Sequence, residues 1–199
     1  MFVTIEGIEG SGKSTLLEAL AKRLRKEGRD VVATREPGGT PAGDAIRAIF
    51  LDRNLTVAPL TEAFLVNAAR AQHVADVIRP ALAAGRTVLC DRFTDSTLAY
   101  QGYGRGLDLT MLGALCDAAA ENLNPNLTLL VDLPVPLARS RLQARSGNLD
   151  RIESQDDAFH QRVRMGFLAL AQLPHYRILD GTLNEADLLE RAWTCISTS

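Results

Sequence analysis

"GIEGSGKS", Gly7 to Ser14, decides how this chain folds. It has a glycine, four free positions and then Gly-Lys-Ser, the form of a phosphate-cradling P-loop. Its flanks stand in the order such a loop needs. Phe2 to Ile5 is a short apolar, β-prone run, and Leu16, Leu17, Leu20, Ala21 and Leu24 recur at helical spacing behind it. Glycines let successive backbone N–H groups turn onto phosphate oxygens, and the following helix adds the partial positive charge of its N-terminus. Lys13 then reaches the β and γ phosphates of a nucleotide, and the Ser14 hydroxyl ligates magnesium. The expected nucleotide-binding set is Gly7, Ile8, Glu9, Gly10, Ser11, Gly12, Lys13, Ser14 and Thr15.

Working outward, strand-like apolar runs recur at 2–5, 31–34, 87–90, 127–131 and 176–179. Helical stretches separate them, at about 13–27, 41–51, 60–83, 110–121, 134–145, 155–172 and 184–197, with Pro80 expected to kink the third. This alternation predicts an α/β fold in three layers, a mainly parallel five-stranded sheet with helices on both faces. The 199 residues suit one domain, 1–199. Ligands in such folds sit at the carboxyl ends of the strands. Polar and glycine-rich residues gather there, after the strands, in the P-loop, "TREPGGTP", "DRFTDSTLAYQGYGRG", "DLPVP" and "DGTLNE", the third lying outside every expected helical stretch.

Composition narrows the function. With 46% apolar residues the chain has ample material for a core, and a net charge of −2 argues against a general nucleic-acid or membrane-surface binder. No apolar run approaches a membrane span, and no signal-peptide pattern opens the chain. Cys90, Cys116 and Cys195 are odd in number and far apart, as packing residues of a reducing cytoplasm would be.

A P-loop serves several classes. A GTPase switch needs a guanine-reading Asn-Lys-x-Asp, and the chain has no Asn-Lys pair. Transfer to a small acceptor instead needs a second anion site, for which Arg35, Arg47, Arg70, Arg92 and Arg105 are placed in or near post-strand segments. "RLQARSGNLDRIE", Arg141 to Glu153, reads as a short arginine-bearing lid, with Arg141 and Arg145 on one helix face and Arg151 in its mobile part. Two strands end in aspartate, "VLCD" at Asp91 and "LLVD" at Asp132, and by pattern alone Asp132 is the better metal-side carboxylate. His73, His160 and His175 show no pairing in the sequence and read as structural or exposed.

Four motifs in one order, "GIEGSGKS", "TREPGG", "DRFTDSTLAYQGYGRG" and "DRIE", resemble the bacterial thymidylate kinases from Met1 to about Tyr176. The resemblance implies a P-loop kinase fold like that of the adenylate kinase group and transfer of the γ-phosphate of ATP to dTMP, giving dTDP and ADP. It further implies Mg2+, a role in dTTP synthesis for DNA replication, and a cytoplasmic homodimer with no nucleic-acid or membrane partner. Catalytic roles fall on Lys13, Arg92 and Arg145, the last because no free P-loop position is basic, and Arg141 resembles a residue packing on adenine. The acceptor set becomes Glu9, Glu36, Arg47, Arg70, Arg92, Ser96, Thr97, Tyr100 and Gln101. In it Gln101 and Arg70 face a keto base edge, Tyr100 crowds the sugar, and Arg92 with Arg47 clamps the 5′-phosphate. The resemblance favours Asp91 with Ser14 at the metal. One position departs: the family commonly has Phe where this chain has Val66, and Phe64 is offset by two residues, about 200° around a helix. The alternatives are a kinase for another nucleoside monophosphate and a nucleotide-binding regulator without turnover.

Overall fold

The computed structural model describes residues 1–145 and 148–197; Ser146 and Gly147 of the expected lid lie outside the described residues. Five strands, β1 (Phe2–Glu6), β2 (Val31–Arg35), β3 (Thr87–Asp91), β4 (Leu127–Asp132) and β5 (Tyr176–Asp180), form one sheet in the order β2-β3-β1-β4-β5. Every pairing is parallel, with Ile5 opposite Asp91 on one side and Leu129 on the other. The central strand β1 is buried along its whole length, so it reads as a continuous apolar run instead of an alternation. Its one mid-strand hydroxyl, Thr4, is satisfied across the sheet by Thr128 at 2.9 Å. The chain leaves β1 toward β2 and β3, then crosses back to β4 and β5. The carboxyl end of β1 is therefore the switch point at which α/β folds bind ligands.

Helix α1 (Lys13–Lys26) begins directly at the P-loop, and Leu16, Leu17, Leu20, Ala21 and Leu24 form its buried stripe. They join Val3, Ile5, Leu129 and Val131 of the sheet and Leu188, Ala192 and Ile196 of the C-terminal helix α9 (Glu185–Ser197) in one core. The opposite face carries α2 (Pro41–Leu51), α3 (Pro59–His73), α6 (Leu109–Ala120), α7 (Val135–Ala144) and α8 (Asp157–Leu170). Helix starts carry their signatures. Thr40, Asp108 and Asp156 each accept from a first-turn N–H, and Pro41, Pro59 and Val135-Pro136 open helices where a missing N–H costs nothing.

Helix α3 continues through a wider π-helical turn, Val74–Ile78, into α4 (Arg79–Ala83). The wide turn stands just ahead of Pro80, the residue that cannot donate to the ladder. "DRFTDSTLAYQGYGRG" corrects the sequence reading. It is helical, as a short α5 (Thr94–Thr97) running into a π-helical Leu98–Gly104. Gly102 and Gly104 serve helix packing, whereas Gly106, with φ 81°, follows the helix in a turn. A Cβ on Gly102 would sit 2.4 Å from the Leu109 side chain, and one on Gly104 would sit 2.7 Å from the Phe159 ring. Among the described residues no helix is long and apolar enough to cross a membrane.

Candidate active site

The P-loop backbone is bent as its sequence requires. Gly7, Gly10 and Gly12 have φ of 140°, 75° and 97°, and a Cβ on Gly10 would come within 2.6 Å of the Ala138 carbonyl oxygen. Lys13 is folded back over the loop, donating to the Ile8 carbonyl at 2.8 Å. Burial and the neighbouring Arg92 lower its ammonium to about 8. An anion placed above the loop would therefore meet a lysine whose charge it reinforces.

Asp91, at the end of β3, accepts from the Ser14 hydroxyl at 2.6 Å, and its other carboxylate oxygen is buried with no partner among the described residues. A hydroxyl and an orphaned carboxylate oxygen are the hard donors that suit Mg2+. Asp132, the better candidate by pattern, is engaged elsewhere: Arg164 grips both its oxygens at 2.7 and 2.8 Å. Periodicity could not distinguish two aspartates at equivalent strand ends.

Beside the loop lies a cavity of about 340 Å3. Its lining brings together Lys13, Ser14 and Asp91, the cluster residues Arg92 and Tyr100, and Val66, Arg70 and Gln101. All of the expected acceptor residues, Glu9, Glu36, Arg47, Arg70, Arg92, Ser96, Thr97, Tyr100 and Gln101, line it, and so does Arg145. Of the expected nucleotide-binding residues, Gly7, Ile8, Ser11, Gly12, Thr15 and Arg141 do not border it; Arg141 donates to the Gly181 carbonyl after β5 at 3.0 Å.

Arg92 is the hub. It adopts a left-handed backbone, φ 74°, and donates to the Gly7 carbonyl (3.0 Å), Ser96 Oγ (3.1 Å), Glu9 (2.9 Å) and Tyr100 Oη (3.1 Å). The Tyr100 hydroxyl in turn donates to Glu9 at 2.7 Å. Burial pushes the Glu9 carboxyl up, but Arg92, Lys13 and the Tyr100 hydrogen bond outweigh it and hold the group ionised. Arg47, anchored to the Pro37 carbonyl at 3.0 Å, has its pKa lowered by burial and by the like charges of Arg35 and Arg92. Three guanidinium groups that repel one another around a cavity are arranged for an anion that neutralises them.

Arg70 is 2% exposed, and its fork is tied to Glu36 (2.8 Å), Asn67 (2.6 Å) and the Phe93 carbonyl (2.9 Å). Glu36 also faces His73 Nδ1 at 3.0 Å, with His73 Nε2 on Thr34 Oγ1 at 2.7 Å. His73 is thus a buried, paired residue, and His160 is buried 3.5 Å from Glu9. Val66 lines the cavity while Phe64 is 55% exposed and points away; the rings bordering the cavity are Phe50, Phe93 and Tyr100.

Two arginines differ from the sequence reading. Arg105, expected to face the acceptor, turns onto Glu62 (2.9 Å) and stacks over Phe159 (4.5 Å). Arg151, expected in a mobile lid, is buried against Glu62, the Phe50 carbonyl and the Phe50 ring. Arg145 is the exposed one, at 55%, held through Nη2 by both oxygens of Glu153 (2.8 and 2.9 Å). The sequence reading does not single out Glu62, Phe93, Glu153 or Glu6, whose carboxylate accepts from the Phe93 N–H at 2.7 Å and the Ser96 hydroxyl at 2.6 Å. Glu6 and Glu62 are lone acids in otherwise apolar or helical stretches, and that mismatch was the available signal.

A thymidylate kinase family profile matches residues 5–192. A thymidylate kinase of Deinococcus radiodurans is 48% identical over 99% of this chain and 96% of its own length. One of Geobacter sulfurreducens is 52% identical over 90% of this chain and 88% of its own. The crystal structure of thymidylate kinase from Ehrlichia chaffeensis superposes with a TM-score of 0.79, at 32% identity and 98% coverage of both chains. With its glycine-bent loop, its arginine-lined cavity and these relatives, this chain belongs to the thymidylate kinase family.

Proposed function

We propose that the protein transfers the γ-phosphate of ATP to dTMP, giving ADP and dTDP, as a step in dTTP supply. The carrying observation is the single cavity that joins P-loop residues Lys13 and Ser14 to the arginine cluster and to Gln101 and Arg70. Gly7 to Thr15 cradle the ATP phosphates, with Arg141 on the adenine side. Arg92 and Arg47 clamp the acceptor 5′-phosphate, while Glu9 and Tyr100 border the sugar. Ser96 and Thr97 flank the base with their hydroxyls, Glu36 holds Arg70, and Arg70 and Gln101 read the base edge.

Ser14 and Asp91 would hold Mg2+, which would neutralise charge on the ATP phosphates. Lys13, Arg92 and Arg145 supply the remaining positive charge. The acceptor phosphate is already an anion, so no side chain need remove a proton from it. Arg145, released from Glu153, is the group that reaches the transferring phosphoryl.

Several coarser features belong to the same reading. Residues 1–199 act as one domain with a lid at about 141–153, since all described strands share one sheet. A homodimer is supported by exposed apolar side chains, Leu60 and Phe64 one turn apart on α3 and Leu109 and Met111 at the start of α6. A cytoplasmic setting fits the free cysteines Cys90 and Cys116, both buried. The test is a coupled ADP-release assay with dTMP, dUMP, dCMP, AMP and GMP. dTMP should be the best acceptor and dCMP poor; equal turnover of AMP or dCMP overturns the acceptor assignment.

A further inference from the structure

Glu62 lies on α3, four and eight residues before Val66 and Arg70, and its side chain is completely buried. Its carboxylate collects three side chains from distant parts of the chain. Gln101 Nε2 donates at 3.0 Å, Arg105 donates through Nη2 at 2.9 Å and Nε at 3.2 Å, and Arg151 donates through Nη1. Guanidinium groups can only donate. A carboxylate pinned between two of them has only lone pairs to offer a third neighbour. That leaves the Gln101 amide one orientation: its NH2 must face Glu62, and its carbonyl oxygen becomes the end left for the cavity that Gln101 lines.

We infer that Glu62 is a specificity-positioning residue that fixes the Gln101 amide so that the base end of the cavity presents an acceptor. The inference rests on the reading that this cavity takes dTMP. Arg70 completes the pattern, because Glu36, Asn67 and the Phe93 carbonyl fix its donor-only fork in the same wall. A wall showing one donor and one acceptor matches the carbonyl and ring N–H of thymine. Cytosine offers an amino group and a bare ring nitrogen at those positions, so donor would face donor and acceptor would face acceptor. Replacing the Glu62 carboxylate with an amide removes the constraint, since an amide can donate as well as accept. Gln101 is then free to turn its NH2 toward the cavity.

The experiment measures kcat/KM for dTMP and for dCMP at saturating Mg·ATP, in the wild-type enzyme, Glu62→Gln, Glu62→Asp, Gln101→Leu and the Glu62→Gln/Gln101→Leu double variant. The dTMP-to-dCMP ratio should fall about tenfold or more in Glu62→Gln, the effect expected from unpairing a buried polar contact. Part of that fall should be a rise in the absolute dCMP value, which loss of structure alone does not produce. Gln101→Leu should lose the same discrimination, and Glu62→Gln should change the ratio no further in that background. Glu62→Asp keeps a charge for Arg105 and Arg151 but retreats from Gln101 by one methylene. It carries the same expected loss of ratio should Glu62→Gln melt below the assay temperature. A wild-type ratio retained in the Glu62 variants, with both substrates slowed equally, overturns the role of Glu62. A wild-type enzyme indifferent to the two nucleotides overturns the acceptor reading first, and this inference with it.

Discussion

Arg92 combines four side-chain hydrogen bonds in the cavity with a backbone conformation that a side chain disfavours, and two substitutions separate these properties. Its φ is 74°, one of three positive values at non-glycine residues among those described, the others being Glu121 and Asn122. Arg92→Ala and Arg92→Gly both delete the guanidinium, with its bonds to the Gly7 carbonyl, Ser96, Glu9 and Tyr100. Those losses cancel in the comparison, and both variants should lose dTMP binding and turnover together. What remains is the backbone. A left-handed residue with a Cβ costs about 1–2 kcal/mol. Glycine gives back roughly 0.4–1 kcal/mol through the greater freedom of its unfolded chain. The glycine variant should therefore be the more stable by about 0.5–1 kcal/mol, or roughly 1–4 °C in Tm for a chain of this size. Paired thermal melts and urea titrations without nucleotide decide it. An alanine variant as stable as the glycine variant would refute the claim that strain is stored at this residue; the strain would then have been relieved by a local backbone shift.

Arg145→Ala should lower kcat by on the order of 10³ with little change in the KM for dTMP, and Arg145→Lys should rescue it only weakly. Single-turnover kinetics showing more than about a third of the wild-type chemical rate would remove Arg145 from the transferring phosphoryl. Arg151→Ala is the contrast: it strips a buried partner from Glu62, so a lowered Tm, not a selective loss of kcat, is expected. Val66→Phe should lower the KM for dTMP up to about tenfold by adding a ring against the base, or leave it unchanged where Phe50 or Phe93 fills that space; a large rise is the refuting result. Burial, with the nearby Asp95 carboxylate, raises Glu6 to about 8 against the opposing pull of Arg92. A carboxyl that keeps its proton only when folded contributes stability below its unfolded pKa and loses it as pH climbs toward 8. Melts in EDTA from pH 5 to 8 should accordingly show falling stability in the wild type and a flatter profile in Glu6→Gln, and parallel profiles would discard the assignment.

The sequence alone determined the elements and the chemistry local to a few residues. "GIEGSGKS" is legible because phosphate binding there depends on φ values that only glycine adopts readily and on a helix beginning at the next residue. The five strands and most helices follow from hydrophobic period, a property of neighbours along the chain. The segment after β3 escaped that reading because Gly102 and Gly104, ordinarily loop formers, admit Leu109 and Phe159 against a helix, and those partners lie outside the segment. Tertiary structure decided the pairings. Asp91 and Asp132 are alike in sequence, and they part only because Ser14 lies beside one and Arg164 beside the other. Arg105 and Arg151 are indistinguishable from cavity arginines until the fold buries Glu62 between them, whereas Arg145 stays exposed at the lid. A charged side chain commits to whichever opposite charge shares its buried space, and for Asp132 with Arg164 and Glu62 with Arg151 that space is assembled from residues 32 and 89 positions apart. No window along the chain contains both partners.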